Sequence, residues 1–359
     1  MLWGHSELPI ENLKMPLVMH FVMPAPVDSD PATPPVKLPS DPLETHPSAR
    51  QKPASVSMSE LFGLLCFVVL GAEKASPGYA PSELFLRSKI AFGWFADLRR
   101  LKALRTGCPD AGVARALRER PAVLGLAVWP YIHSGWNFEQ RLGAFEAHFR
   151  SIRRIAPRLD LSTQESLVVA SLEDIRPGLR LVLDRAAWFS REGELVLNIF
   201  LHDKRLFSLA CSVGLDAEQY VVRVGAVQGV KDENILALYR DLTKEMHGLR
   251  PRDLLLDALR MMCSSIGITK ILGIADCNRQ HRNVYYGQAK SQNLEGDYDT
   301  VWTEQGGVRR DSGFFEISSK IEFRDMEDIP SKKRSMYRRR YEFLTALADQ
   351  ISTNCTRKG

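Results

Sequence analysis

The chain has 359 residues, 45% of them hydrophobic, with 48 Lys and Arg against 43 Asp and Glu. That is enough apolar material for a substantial core and excludes a wholly disordered polypeptide. The net charge of +5 is unevenly spread, at −2 over residues 1–57, +7 over 58–159, −6 over 160–330 and +6 over 331–359, so the largest unit is acidic, which argues against a nucleic-acid-binding domain.

Cys66, Cys108, Cys211, Cys263, Cys277 and Cys355 are scattered. None forms a CxxC knuckle, so no metal site is expected and a reduced compartment is. The longest apolar run, Leu61 to Ala72, is about half of the ~20 residues that span a bilayer. A soluble, cytoplasmic protein is the expectation.

Residues 1–57 hold eleven of the twenty prolines, and a disordered Pro-rich tail is expected there. From Ser59 to about Arg158 apolar residues recur at helical spacing, as in Phe92, Phe95, Leu98 and Leu101, or Leu142, Phe145, Phe149 and Ile152. Three to five helices follow over 58–159, with arginines on their solvated faces. At Leu167 the period changes. Leu167–Leu172, Leu179–Leu183, Leu195–Leu201, Leu206–Val213 and Tyr220–Gln228 are short runs of β-branched and large apolar residues, which read as five antiparallel strands. Two helices over Asp232–His247 and Asp253–Ile266 are separated by Gly248 and Pro251. Next come a strand at Lys270–Ala275, a short helix near Asn278–Tyr286, and an irregular or β segment with Asp297-Tyr298-Asp299 and Phe314–Ile317. An amphipathic helix over about Ser331–Ile351 closes the chain. The fold class is α+β: a helical region over 58–159, a mainly antiparallel sheet with helices over 160–330, and a basic terminal helix and tail over 331–359.

From Thr243 the chain reads Thr-Lys-Glu-Met-His-Gly-Leu-Arg-Pro-Arg-Asp-Leu-Leu-Leu-Asp-Ala-Leu-Arg. Ile271-Leu-Gly-Ile274, Asp297-Tyr-Asp, Gly306-Gly-Val and Asp325-Met-Glu-Asp-Ile-Pro-Ser-Lys-Lys-Arg follow, and Tyr131-Ile-His-Ser-Gly and Glu192-Gly-Glu-Leu precede. In this order the motifs resemble the VirK/YbjX family of bacterial proteins, over roughly Ser59 to Ile351. The resemblance implies a link with envelope stress and virulence, with no settled biochemical activity. The chain departs from the family pattern at two places. Asn278 is followed by Arg279, Gln280 and His281 where the family usually has Asn-His before Tyr, and Glu295 stands where a His commonly precedes Asp-Tyr-Asp.

The order of elements is also similar to acyl-CoA N-acyltransferases of the GNAT type, whose helix N-terminus offers backbone N–H groups to the cofactor's pyrophosphate. This likeness implies acyl-CoA as cofactor. Gly248, Arg250 and Arg252 would meet its phosphates, with Gln228 and Asn278 at the neighbouring strand ends. His247 or Glu295 would assist deprotonation of an amine, and Tyr285 or Tyr286 would protonate the departing thiolate. The Gly-x-Gly element is missing, Pro251 removes one N–H donor, and Asp253 sets a carboxylate at the helix start. The acyl-transfer reading requires a gap between the strands ending at Gln228 and Ala275.

Each candidate also has a structural reading. His247 suits a helix C-terminus, Asp276 or Asn278 an N-cap, and the tyrosine pair packing. No sequence neighbour is certain to activate Cys277 as a nucleophile. Asp297, Asp299 and Glu304 either gather around a cationic amine or metal or serve as turn and cap residues. On the terminal helix Tyr337, Tyr341, Leu344, Ala348 and Ile351 form a docking stripe, while Lys332, Lys333, Arg334, Arg338, Arg339 and Arg340 make it strongly basic. Those cations either pair with the acidic middle or meet an anionic membrane surface or protein partner. Two functions are therefore expected: acyl transfer to an amine in support of the envelope, or a non-enzymatic accessory role, peripheral to the inner membrane, through the basic helix. Nucleic acid is not expected as a partner.

Overall fold

The computed structural model describes residues 57–77, 79–95, 97–106, 110–230, 232, 235–287 and 297–356. The proposed tail, apart from its last residue Ser57, and Glu295 lie outside them. Five helices come first: α1 (Met58–Ala75), α2 (Pro81–Phe95), α3 (Leu98–Thr106), α4 (Ala111–Glu119) and α5 (Phe138–Ile155). Two start on capping boxes, Ser57 with Glu60 and Asn137 with Gln140, in which side chain and backbone satisfy each other's orphan donors. Strands β1 (Ser166–Ser171), β2 (Leu179–Asp184), β3 (Leu195–Leu201), β4 (Lys204–Asp216) and β5 (Gln219–Gly229) form an antiparallel meander.

Helices α6 (Ile235–Glu245) and α7 (Pro251–Ser265) then cross over to β6 (Lys270–Ile274), which pairs with β5 in parallel, a pairing that needs such a crossover. After α8 (Tyr298–Glu304), β7 (Val308–Arg309) and β8 (Phe314–Ser318), the chain ends on α9 (Ser331–Thr356). The sheet order is β1-β2-β3-β4-β5-β6-β8-β7. All five predicted strands of the meander form.

Helix α7 buries residues on nearly all sides, from Leu254 to Cys263, because it lies between the sheet and α9. Helix α9 docks through Leu344, Leu347, Ile351 and Cys355, while Lys332, Lys333, Arg338 and Arg339 stay exposed. Its far end completes the edge strand β1: the Gln350 amide oxygen accepts the Ser171 N–H at 3.0 Å, and Asn354 donates to the Val169 carbonyl at 3.2 Å. One contiguous core runs from Leu64 in α1 to Cys355. On the opposite sheet face Val196, Ala210 and Ala226 are covered by Phe189 and Ala186. The segment after Phe189 stays close to the sheet, and two glycines permit it. A Cβ at Gly225 would lie 2.1 Å from the Glu192 carbonyl oxygen, and one at Gly193 would lie 2.5 Å from the Cys211 carbonyl oxygen. Gly225 is also the extra residue of a bulge, since Ala210 faces Ala226 while Cys211 faces Val224.

Three local expectations are corrected. The short helix near Asn278–Tyr286 is three separate 3₁₀ turns, Asp276–Asn278, Gln280–Arg282 and Val284–Tyr286. Asp297-Tyr298-Asp299 is neither irregular nor β: Asp297 caps α8 by accepting the Thr300 N–H at 3.1 Å. The arginines of the helical region do not all face water. Arg141 is buried and donates to the carbonyls of Ala127, Val128 and Trp129, while Arg115 and Arg120 are half-buried against Asp160 and Glu194. Unsatisfied carbonyls and carboxylates draw guanidiniums inward.

The helical region and the sheet meet at such a network. The Arg185 side chain, with 0% exposure, donates to Glu119 at 2.9 Å and to Glu194 at 3.0 Å. Replacing Glu194 by Ala leaves Arg185 with Glu119 alone and takes the partner of Arg120, and urea denaturation is expected to show a loss of about 3 kcal/mol. Nearby, the buried His148 accepts the Val213 N–H through Nδ1 at 3.1 Å. Burial pushes its pKa from 6.5 down to about 4. Between those values the unfolded chain binds a proton that the folded one refuses, so this residue withdraws stability as pH falls. The difference between wild type and His148→Asn should change by on the order of 3 kcal/mol across that window, measured by denaturation at stepped pH.

Candidate functional site at the end of the parallel pair

Pairing of β5 with β6 stops at Val224 and Gly273, although β5 continues to Gly229. The ends of parallel strands preceding helices are where open α/β sheets bind ligands. Here four distant segments meet. Ile132 donates its N–H to the Arg191 carbonyl at 2.7 Å, Ser134 donates to the Asn278 carbonyl at 2.8 Å, and His133 forms a β-bridge with Arg279. The fourth segment enters through the Asp276 N–H, which donates to Asp299 at 2.7 Å. Ile132 holds a φ of +54°, costly for a β-branched residue and sustained by these flanking bonds.

Glu192 is the buried acid of this junction. Its Oε1 accepts from the Gln280 amide at 2.8 Å and lies 3.5 Å from His281 Nε2, while Oε2 is buried with no hydrogen-bond partner. Burial pushes its pKa up to about 7, against the opposing effects of Gln280 and Arg191. Two residues on, Glu194 is equally buried, but Arg120 and Arg185 outweigh the burial and hold it below its usual value. Two adjacent carboxylates are thus driven apart, as acid–base sites require. Tyr286 donates to the Gln280 side chain at 2.5 Å and accepts from Arg191 at 2.9 Å, and burial raises its pKa. Arg191 lies 4.2 Å from the Trp129 ring centroid and 5.2 Å from that of Tyr285.

Around Asp276 the pairing is dense. Its carboxylate accepts from Arg279 at 3.2 Å and from Arg282. Asp299 accepts from Arg309 at 2.5 Å, and Arg309 also reaches Cys277 Sγ at 3.3 Å. A cleft of about 360 Å³ opens beside this cluster, lined by His133, Asn278 and residues 309–313, which include Arg309, Arg310 and Asp311. The His133 imidazole accepts the Gly135 N–H through Nδ1 at 3.0 Å, and burial lowers its pKa against a hydrogen bond to the Ser312 backbone. A neutral ring follows.

The remaining candidates are placed as follows. Tyr285, Tyr286 and Asn278 belong to this junction. Gln228 pairs with Ser208 in the sheet. His247 ends α6 at φ +54°, its carbonyl held by Arg340 at 2.7 Å and its pKa lowered by burial and by Arg339 and Arg340. Gly248 follows at φ +82° with Arg340 beside it. Arg250 binds Asp253 at 2.5 Å and Glu304 at 3.1 Å, and Arg252 binds the same two carboxylates. Glu304 and Asp297 therefore stand at opposite ends of α8 with separate tasks, and among the described residues no three metal-ligating side chains gather. The gap beyond Val224 is filled by α8: the Tyr298 hydroxyl accepts the Val227 N–H at 2.9 Å and donates to its carbonyl at 3.1 Å, while Trp302 donates to the Ile274 carbonyl at 2.7 Å.

Glu192, Arg191, Gln280 and His133 received no role from sequence. The available signal was Glu192-Gly193-Glu194, two carboxylates around a glycine directly before an apolar strand.

A family model described as a protein of unknown function, DUF535, matches residues 98–353. The chain belongs to that family, the VirK/YbjX family. The uncharacterized protein YbjX of Escherichia coli is 26% identical over 230 residues, 62% of this chain and 69% of its own length. An uncharacterized protein of Haemophilus influenzae is 30% identical over 181 residues, half of this chain and 59% of that relative. Another from the same organism is 33% identical over 133 residues, 36% of this chain and 42% of its own length. No solved structure matches. Among the described residues no helix is long and apolar enough to cross a membrane.

The ionisation of Glu192 has a measurable sign. With its folded pKa raised to about 7 from 4.5, it withdraws stability as pH rises through that interval, opposite to His148. Glu192→Gln should therefore raise the melting temperature relative to wild type at pH 8 and not at pH 4, in paired thermal scans.

Proposed function

We propose that this family member is a general acid–base enzyme whose Glu192 takes a proton from an amine-bearing small molecule. The observation that carries the reading is the buried carboxyl with one unpartnered oxygen and a pKa of about 7, at the end of a parallel strand pair. The acidity of residues 160–330 favours a cationic substrate.

Acyl transfer from a CoA thioester is the reaction class taken as its specific form. Glu192 would accept the ammonium proton, and the freed amine would attack the thioester carbonyl. Tyr286, kept protonated by its raised pKa, would supply the proton to the departing thiolate as the C–S bond breaks, and the second nitrogen proton would return to the Tyr286 phenolate as the amide forms. Two conditions attach. Tyr298 must yield its bonds to Val227 for a pantetheine arm to enter the gap, and Arg250 and Arg252 must leave Glu304 to meet phosphate. The family resemblance supports a role in bacterial envelope homeostasis, stress response or virulence. A second reading, a non-enzymatic accessory protein, rests on the exposed Lys332, Lys333, Arg338 and Arg339 of α9.

Thiol release from acetyl-CoA and longer acyl-CoAs should be followed with a panel of polyamines. The expected rate rises with pH through about 7 and drops by more than about 100-fold in Glu192→Gln. No heat of acyl-CoA binding together with no thiol release removes acyl transfer. An unchanged rate in Glu192→Gln removes the carboxyl from the chemistry.

A further inference from the structure

We propose that α1 and α2 form a hairpin that lies on an anionic lipid surface, a function independent of the Glu192 site. Both helices precede residues 98–353 matched by the family model. Helix α1 is apolar on two faces. Leu64, Val68 and Ala72 face the core, whereas Phe62, Leu65, Cys66, Val69 and Leu70 recur at helical spacing on the exposed side. Phe62 is 68% and Leu70 62% exposed, and on α2 Phe85 is 62% and Phe92 79% exposed. Isolated exposed apolar residues are ordinary, but a continuous outward stripe with neighbouring exposed phenylalanines marks an interaction surface.

The surrounding charge selects the partner. Over 57–105 the exposed charged residues are Lys74, Lys89, Arg99 and Arg105, all cations. The acids are fewer and partly covered: Glu60 is tied to Lys102 at 2.8 Å, Glu83 accepts the Ala80 N–H at 3.0 Å, Asp97 accepts the Arg100 N–H at 3.0 Å, and Glu73 is half-buried. The Lys89 ammonium sits 4.4 Å from the Phe85 ring centroid, so a cation and an aromatic ring are presented together. A two-fold pairing of this face with a second copy would set these cations against one another. Anionic headgroups match them, while the phenylalanines enter the headgroup–acyl boundary. With 18 residues in α1 and no membrane-crossing helix among the described residues, the hairpin lies in the interface.

The test uses the full chain with vesicles of phosphatidylcholine alone or mixed with phosphatidylglycerol, read by flotation. Binding is expected to the mixed vesicles only and to fall at high salt. Phe62→Asp with Leu70→Asp and Phe92→Asp should weaken it by more than about tenfold, and Lys89→Glu with Arg99→Glu should weaken it similarly. These side chains are exposed, so unchanged thermal melting will accompany the loss. Arg338→Gln with Arg339→Gln on α9 should have no effect. Absence of vesicle binding, binding that survives both hairpin variants, or binding lost only in the α9 variant overturns the proposal. A dimer in light scattering that the apolar substitutions dissociate assigns the face to a second copy and overturns it as well.

Discussion

A guanidinium closed off from water holds the two halves of this molecule together. Arg185, just beyond β2, takes the carboxylates of Glu119 from α4 and Glu194 before β3, and its charge lies 4.9 Å from the Phe149 ring of α5. Removing such a group from water is expensive, and the expense is offset here by two carboxylates and the Leu161 carbonyl, with Nε alone left without a partner. Once Glu194 is fixed against Arg185, the chain two residues earlier has little freedom. Glu192 is then held over the β5 bulge with fewer partners than its neighbour, and the contrast between the two carboxyls follows from where the single arginine pair is spent.

The close approach of this segment to the sheet depends on the absence of side chains. Gly193 and Gly225 leave the space through which backbone passes over backbone, and any Cβ at Gly225 would have to displace the Glu192 carbonyl. The geometry of the acid is thus set by two residues that carry no chemistry. Tyr298 adds the second boundary by satisfying both backbone groups of Val227, so the end of β5 is closed by α8 where a free strand edge would otherwise stand.

Much of this architecture was legible in the sequence. The meander strands were bounded by charged pairs, Gly and Pro, and the two helices and the strand after them were read in their right order, although the parallel pairing they lead to was not. Helix α8 escaped notice because seven residues carry too little periodicity to register, although Asp297 three residues before Thr300 was a capping signal. Buried arginines were invisible, since the carbonyls that Arg141 serves come from Ala127, Val128 and Trp129 and are only brought there by folding. The site was partly legible. Tyr285, Tyr286, Asn278, His247, Arg250 and Arg252 all came from the likeness in element order to acyltransferases; the first three fall at the junction, whereas the other three are engaged by α9, Asp253 and Glu304. Glu192 went unassigned because its raised pKa depends on burial, a tertiary property.

The contact between β1 and the far end of α9 bears on how the protein is made. Gln350 and Asn354 supply partners to backbone groups at Ser171 and Val169, which are synthesised some 180 residues earlier. On the ribosome the meander emerges first with its outer strand uncovered, and an unpaired strand edge is a template for association with other chains. Protection arrives only when the last turns of α9 have cleared the exit tunnel, so the native edge is completed long after the meander itself has emerged.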